Sequence, residues 1–384
     1  PIHVMIWRHP ETDRLHLREA DDIDLLALKI VVEGIDPRDA AAIGNVTVGA
    51  IHSAIEHGVT QGFLLSPGSF ISRLCPSPVA DSEIFDAFRT VETFTLQWHI
   101  TQACDLHCKH CYDRSDRSPM PYDMALTILD DFYRFCRQMQ VRGQVTFTGG
   151  NPFLYPQFYE LYQAAHDLGF ELAVLGNPTP IQQVKRLCDI AKPSLFQISL
   201  EGLAEYNDYI RGKGHFERSL EFLDVLRRLG IYSMVMLTVT RDNLDQVMLL
   251  VDELKQRTDA FNFNRLSTVG EGAQLVMPQK KDYEAFLRRY HRESQKNSML
   301  GLKENLLNII RDENDLSPFG GCTGFGCGAA FNFVSLLPDG EVHACRKFPS
   351  PIGDIKKAPL VEIYHSDLAQ RYRIGNQACR QCRL

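Results

Sequence analysis

From Phe94 onward the chain alternates apolar runs of strand length with longer stretches whose apolar residues recur at helical spacing. The candidate strands are Thr95 to Ile100, Gln144 to Thr148, Glu171 to Leu175, Leu195 to Leu200, Tyr232 to Val239 and Ala260 to Leu266. Between them Met124 to Met139, Phe158 to Leu168, Phe216 to Leu229 and Leu244 to Leu254 read as amphipathic helices. Six βα units of this kind predict an α/β fold, with a parallel sheet and helices outside it, whose ligands gather at the C-terminal ends of the strands. We expect an open six-stranded partial (β/α)6 barrel over about residues 92 to 275.

That barrel takes up only part of the 384 residues, and at ~150 residues per domain the chain has room for two or three cores. Its 41 Lys and Arg against 48 Asp and Glu give a net charge of −7, which disfavours nucleic acid as a partner. The longest apolar runs, such as Tyr232 to Val239, fall far short of the ~18 residues a membrane span needs. Without a charged-then-apolar signal layout at the start, the chain reads as a cytoplasmic enzyme with reduced thiols.

Its 11 cysteines are then a matter of metal rather than of disulfides. Cys104, Cys108 and Cys111 form a C-x3-C-x2-C triad just after the first strand, at the end of the sheet where ligands gather. Cys322, Cys327, Cys345, Cys379 and Cys382 crowd the C-terminus, while Cys75, Cys136 and Cys188 stand alone, Cys136 within an apolar helical pattern that makes it a buried small hydrophobe. Three thiolates on one loop can neither complete a tetrahedral zinc shell nor ligate all four irons of a [4Fe–4S] cube. The triad is therefore an iron-sulfur site with one open iron, or a zinc loop with a distant fourth ligand.

Other strand ends carry motifs of their own. The second ends in Thr148-Gly149-Gly150-Asn151-Pro152, where two glycines permit close backbone approach. After the fourth come Ser199-Leu200-Glu201-Gly202 and Ile210-Arg211-Gly212, and the guanidinium of Arg211 suits a carboxylate. Taken singly, these are common turns.

Together, the triad and the turns in this order resemble the radical S-adenosylmethionine (SAM) enzymes. The resemblance implies that Cys104, Cys108 and Cys111 hold a [4Fe–4S] cluster whose open iron takes the amino and carboxylate groups of SAM. It implies that Gly149, Gly150 and Asn151 hold the amino group, that Ser199 and Arg211 help hold the ribose and carboxylate, and that His110 stacks near the adenine. Two residues depart from the family pattern: His110 stands where an aromatic residue is usual, and Asn151 where the family has Glu. Asn177 at the third strand end, and the backbone of Leu237 and Thr238 on the fifth strand, are further candidates to line the cofactor.

Near the C-terminus, Asp339-Gly340 between two apolar runs predicts a tight hairpin. Cys327, twelve intervening residues, Gly340, four more and Cys345 resemble the opening of the SPASM/Twitch domain. That resemblance implies one or two auxiliary [4Fe–4S] clusters, the first on Cys322, Cys327 and Cys345, the second begun by Cys379 and Cys382; a zinc knuckle is the alternative. In the family the last pair continues into further cysteines, whereas this chain stops at Leu384 and begins at Pro1, which reads as a trimmed form of a longer protein. We assign residues 276 to 384 to this domain.

The first 75 residues predict two short strands, His3 to Trp7 and Arg14 to Leu17, then helices over Ile23 to Val32, Pro37 to Ile43 and Val48 to His57, and a wing-like turn at Gly62 to Leu65. The order resembles the winged-helix element with which peptide-maturation enzymes take up a leader peptide as an added strand. Eight acidic residues against Arg18, Lys29 and Arg38 between positions 18 and 61 oppose a DNA-reading role, and a structural cap on the barrel is the plainer alternative. Residues 76 to 91 read as a linker.

The resemblance implies a radical SAM oxidoreductase, fed by a flavodoxin- or ferredoxin-type donor, whose 5′-deoxyadenosyl radical modifies a ribosomally made precursor peptide at or near a cysteine. The Gly321 to Phe333 stretch and the acidic N-terminal module look most like the selenobiotic-type peptide maturases. A sulfatase-maturing type of enzyme and a non-catalytic iron-sulfur or zinc regulator are the rivals. No side chain stands out as a catalytic acid or base.

Overall fold

The computed structural model describes residues 2–73 and 88–375. Cys75, Cys379, Cys382 and most of the expected linker lie outside the described residues. The N-terminal module is a hairpin, β1 (Val4–Arg8) and β2 (Leu15–Glu19), followed by α1 (Asp22–Glu33), α2 (Pro37–Gly44) and α3 (Val48–Thr60). Asp21 and Asp24 form a reciprocal capping box that starts α1, and Gly34, at φ 65°, ends it. Arg18 on β2 donates to both oxygens of the fully buried Asp24, at 2.5 and 2.7 Å, which fastens the hairpin to the helices. The wing-like turn is present at Gly62, φ 76°, but it leads to no strand among the described residues, only to an isolated bridge between Ser72 and Thr90.

The barrel strands are β3 (Thr93–Thr101), β4 (Arg142–Gly149), β5 (Glu171–Leu175), β6 (Leu195–Ser199), β7 (Ser233–Val239) and β8 (Ala260–Arg265), paired in parallel in that order. Six helices alternate with them: α4 (Tyr122–Met139), α5 (Phe158–Asp167), α6 (Ile181–Ile190), the pair α7 (Ala204–Arg211) and α8 (His215–Arg228), and α9 (Val247–Glu253). Each expected strand is found within two residues of its predicted ends. Phe94, Leu96, Trp98 and Ile100 of β3 pack outward, Phe94 against Phe132 and Phe135 of α4. Cys136 of α4 is buried in this layer, as a small hydrophobe should be.

The other face of the sheet is unusual for parallel strands, which are commonly apolar on both sides. The registers put Gln97 and His99 of β3 alongside Thr146 and Thr148 of β4, and Met236 and Thr238 of β7 alongside Asn262 and Asn264 of β8. A polar inner face of this kind lines a lumen rather than a dry core.

The C-terminal part continues the same sheet. After α10 (Lys280–Ser294) and α11 (Leu307–Asp312), β9 (Phe333–Leu336) pairs in parallel with β3, from Thr95 with Phe333 to Trp98 with Leu336. The expected hairpin joins β9 to β10 (Glu341–His343), and β11 (Pro351–Asp354) completes a nine-stranded sheet. Its turn places Gly340 at φ 94°, where a side chain would be strained. Helices α12 (Leu360–His365) and α13 (Asp367–Ile374) close the C-terminal end, with Tyr364 against Phe94. The N-terminal module docks on the outside of the barrel: Arg38 pairs with Asp130 at 2.5 Å, and His52 shares a hydrogen bond with Tyr133 at 3.0 Å.

Candidate active site

The cysteine loop leaves the C-terminal end of β3 and is laced by main-chain bonds to the next strand end. Gly150 N donates to Thr101 O at 2.9 Å and Asn151 N to Ala103 O at 2.8 Å. A Cβ on Gly149 would strike the Thr101 carbonyl, and one on Gly150 the Ala103 carbonyl. These glycines are thus required first by the cysteine loop's own backbone. On the far side, Glu271 N donates to Cys111 O at 2.9 Å and Lys109 N to Ile210 O at 3.0 Å.

Burial raises all three thiols, most of all through lost hydration, and each is raised further by a neighbour's charge: Cys104 by Cys111, Cys108 by Cys104 and Cys111 by Cys108. The surroundings offset this with donors to sulfur. Asn177 Nδ2 lies 3.7 Å from Cys104 Sγ and Arg211 Nη1 3.7 Å from Cys108 Sγ, while Arg114 lowers Cys108 and Cys111 by its charge. Three soft sulfur ligands facing N–H groups and a cation fit an iron-sulfur cluster, and loading it must displace the thiol protons.

Arg211 is not the free fork that a carboxylate ligand would meet. Its Nη2 and Nε donate to Glu201 Oε1 at 2.6 and 2.9 Å, and only Nη1 points to the thiols. Glu201, 1% exposed, also lies 3.0 Å from His110 Nε2 and accepts from Thr238 N at 2.8 Å. Burial pushes its carboxyl up, but the charges of His110 and Arg211, with the hydrogen bonds from His110 and Thr238, more than offset that and bring it to about 2. Thr238, whose backbone is a candidate to line the cofactor, has its N–H committed to Glu201, while its carbonyl accepts from Asn243 Nδ2. His110 keeps Nδ1 buried and without a partner. Ser199 stands half-buried at the C-terminal end of β6, beside Met236.

Asn151 is 3% exposed and engaged at both amide atoms: Oδ1 accepts from Phe153 N at 3.2 Å, and Nδ2 donates to Asp105 Oδ1 at 3.0 Å. Asp105 and Glu201 were not singled out from the sequence. Each had a visible signal, a carboxylate between two cluster cysteines and a Glu two residues past a strand-end serine.

The auxiliary cysteines also converge. Burial raises Cys345, and the charges of Cys327 and Cys322 raise it further. A cavity of about 340 Å³ reaches Cys322 from the lumen, lined by Met234, Asn262, Leu302, Lys303 and Phe319. Lys347 Nζ donates to Asn264 Oδ1, two residues past Asn262, at 2.5 Å. No helix among the described residues is long and apolar enough to cross a membrane.

The radical SAM superfamily matches residues 98–254, and the SPASM iron-sulfur cluster-binding domain matches residues 327–383. The chain carries a radical SAM domain followed by a SPASM domain, and is an enzyme using SAM with a [4Fe–4S] cluster and auxiliary clusters. It is 27% identical over 294 residues to the AdoMet-dependent heme synthase of Methanosarcina barkeri, covering 71% of this chain and 82% of that protein. It is 24% identical over 283 residues to the antilisterial bacteriocin subtilosin biosynthesis protein AlbA of Bacillus subtilis, covering 71% of this chain and 60% of AlbA. Its fold is similar to that of Streptococcus suis SuiB bound to S-adenosylmethionine, with a TM-score of 0.61, 18% identity and coverage of 95% of this chain and 87% of SuiB. SuiB bound to its precursor peptide SuiA gives a TM-score of 0.60 at 17% identity, covering 98% of this chain and 91% of SuiB.

Proposed function

We propose that this enzyme is a maturase of a ribosomally synthesised peptide, which it oxidises at or near a cysteine. When bound and reduced, SAM and its cluster supply a 5′-deoxyadenosyl radical able to take a hydrogen atom from an unactivated carbon. Cys104, Cys108 and Cys111 hold the cluster, and the lumen walls keep water from the reacting groups. Cys322, Cys327 and Cys345 hold an auxiliary cluster at the far end of the cavity, where it can meet a substrate thiol or take up the second electron of the oxidation.

The observation that carries the peptide reading is the N-terminal module, docked outside the barrel with its β1–β2 hairpin unpaired to any third strand among the described residues. An open strand edge takes a peptide as an added strand. The likeness to SuiB extends over 95% of the chain, module included, while the likeness to the heme synthase covers 71%. That heme synthase favours a second reading, a small tetrapyrrole substrate, which gives the module no role.

The test is anaerobic turnover with peptides encoded by short reading frames next to the gene, each with and without its N-terminal leader. Mass spectrometry should find the loss of two hydrogens from a cysteine-containing segment, dependent on the leader and coupled to 5′-deoxyadenosine. Deleting residues 1 to 75 should abolish it. Leader-independent modification, or turnover of a porphyrin in place of peptide, sinks this proposal.

A further inference from the structure

The loop between Cys104 and Cys108 carries a carboxylate that no cation among the described residues pairs with. Asp105 Oδ1 accepts from Asn151 Nδ2 at 3.0 Å and from Asn177 Nδ2 at 2.6 Å. The two amides come from successive strand ends, those of β4 and β5, and both are nearly fully buried, whereas Asp105 itself is exposed. Two buried donors thus fix one oxygen. No donor reaches Oδ2 among the described residues, and Asp105 forms no ion pair there. A carboxylate offers about four acceptor sites, so half of this one remains free.

Charge around the three thiols is polarised. Asp105 adjoins Cys104, and Asn177 bridges the two, reaching Cys104 Sγ at 3.7 Å. Arg211 and Arg114 adjoin Cys108, the latter donating from Nη2 to Cys108 O at 3.1 Å with its Nε buried and unpartnered. With Arg211 paired to Glu201, the Asp105 anion on one side and the Arg114 cation on the other match a ligand that offers N–H donors at one point and a carboxylate at another. The amino-acid end of SAM is such a group. Asn151, meanwhile, is neutral, and its only acceptor oxygen already takes the Phe153 N–H.

We propose that Asp105 provides the anionic acceptor for the amino group of SAM, with Asn151 and Asn177 as the positioning residues that hold Oδ1 and so orient the free Oδ2. The carboxylate missing from the Gly-Gly-Asn-Pro turn is in this way supplied by the cysteine loop. The proposal rests on the enzyme's use of SAM.

The test compares equilibrium binding of SAM, and of its 2-oxo analogue in which C=O replaces the amino-bearing carbon, to cluster-loaded wild-type enzyme and to Asp105→Asn and Asp105→Ser. Binding is read from the change in the electron paramagnetic resonance spectrum of the reduced cluster. A lost charge-assisted hydrogen bond should weaken SAM by about tenfold to a hundredfold and leave the analogue's affinity unchanged. Asn151→Glu in the Asp105→Asn background should restore tight SAM binding. Wild-type-like SAM affinity in Asp105→Asn overturns the proposal, as does an equal loss for SAM and analogue. If neither variant assembles a cluster, Asp105 is a structural residue of the loop and the proposal falls. A wild-type protein that holds a full cluster and binds no SAM refutes instead the SAM chemistry on which it rests.

Discussion

Replacing Glu201 by Gln changes one oxygen for an NH2 and should be among the most damaging isosteric changes in the barrel. In the native site, both carboxylate oxygens accept: Oε1 from Arg211 at 2.6 and 2.9 Å, Oε2 from Thr238 N at 2.8 Å. A glutamine has only one acceptor, so its NH2 must face either the Thr238 N–H or the guanidinium, donor against donor. The change also strands a charge, since the Glu201 and Arg211 side chains are only 2% and 11% exposed. Removing one partner of such a buried pair costs about 3–5 kcal/mol, mostly because the other charge stays behind without compensation. Taking Arg211 away as well removes that penalty, so Glu201→Gln/Arg211→Met should lie well above the sum of its two single variants. Urea midpoints of the cluster-free protein under reductant, at equal slope, give the cycle. If Glu201→Gln falls within about 1 kcal/mol of wild type, or if the single costs add, the pair is not the buried, mutually dependent unit described here.

Three further outcomes follow from the same geometry. Gly150→Ala drives a Cβ into the Ala103 carbonyl, and should abolish SAM-dependent 5′-deoxyadenosine formation while leaving far-UV circular dichroism unchanged. Cys104→Ala should lower bound iron by about four atoms per chain and eliminate 5′-deoxyadenosine, yet keep the iron held by the auxiliary cysteines, as iron and sulfide assay would show. In the N-terminal module, the Arg18 hydrogen bond lowers the Asp24 carboxyl against the effect of its burial. Because the folded value lies below the unfolded one of ~3.9, this stabilisation is full at neutral pH and is lost as pH falls through the folded value. Asp24→Asn should therefore weaken the module at pH 7 and flatten its acid transition, read from Trp7 emission against a Trp7→Phe control.

What the sequence made legible was set by local pattern. The period-two runs and helical stretches placed six strands to within two residues of their ends, because each element's apolar spacing is a property of the element itself. The cysteine triad was legible for a similar reason, its ligands lying within eight positions on one loop. The side chains that hold the site together were not. Asp105 meets Asn151 and Asn177 across separations of 46 and 72 residues, and Arg211 could be read as a free fork only while its partner Glu201 went unnoticed. Such pairings arise when parallel strands bring distant strand ends together, and no spacing along the chain encodes them. The glycines of the Gly-Gly-Asn-Pro turn were correctly marked as a place of close approach, but what approaches is the backbone after β3.

The C-terminal segment shows why the two metal sites should be treated as one mechanical unit. A cysteine-rich domain appended by a linker could rock against the barrel, with the distance between clusters free to vary. Here β9 is hydrogen-bonded along β3, the strand that ends in the triad, so the auxiliary hairpin and the first cluster loop spring from adjacent strands of one sheet. Arg346, next to Cys345, pairs with Asp113, two residues past Cys111, and its guanidinium lies 5.0 Å from the Tyr112 ring centroid. Arg117, farther along the same loop, reaches Asp339 and Glu341 of the hairpin at 2.5 and 3.0 Å. Arg346 and Arg117 are largely buried, so these contacts are less screened than surface ion pairs. A shift of the auxiliary loop must therefore pull on the segment that carries Cys111. The triad loop and the auxiliary loop are thereby held at a set separation and orientation, so a group bound between them would meet both in one geometry.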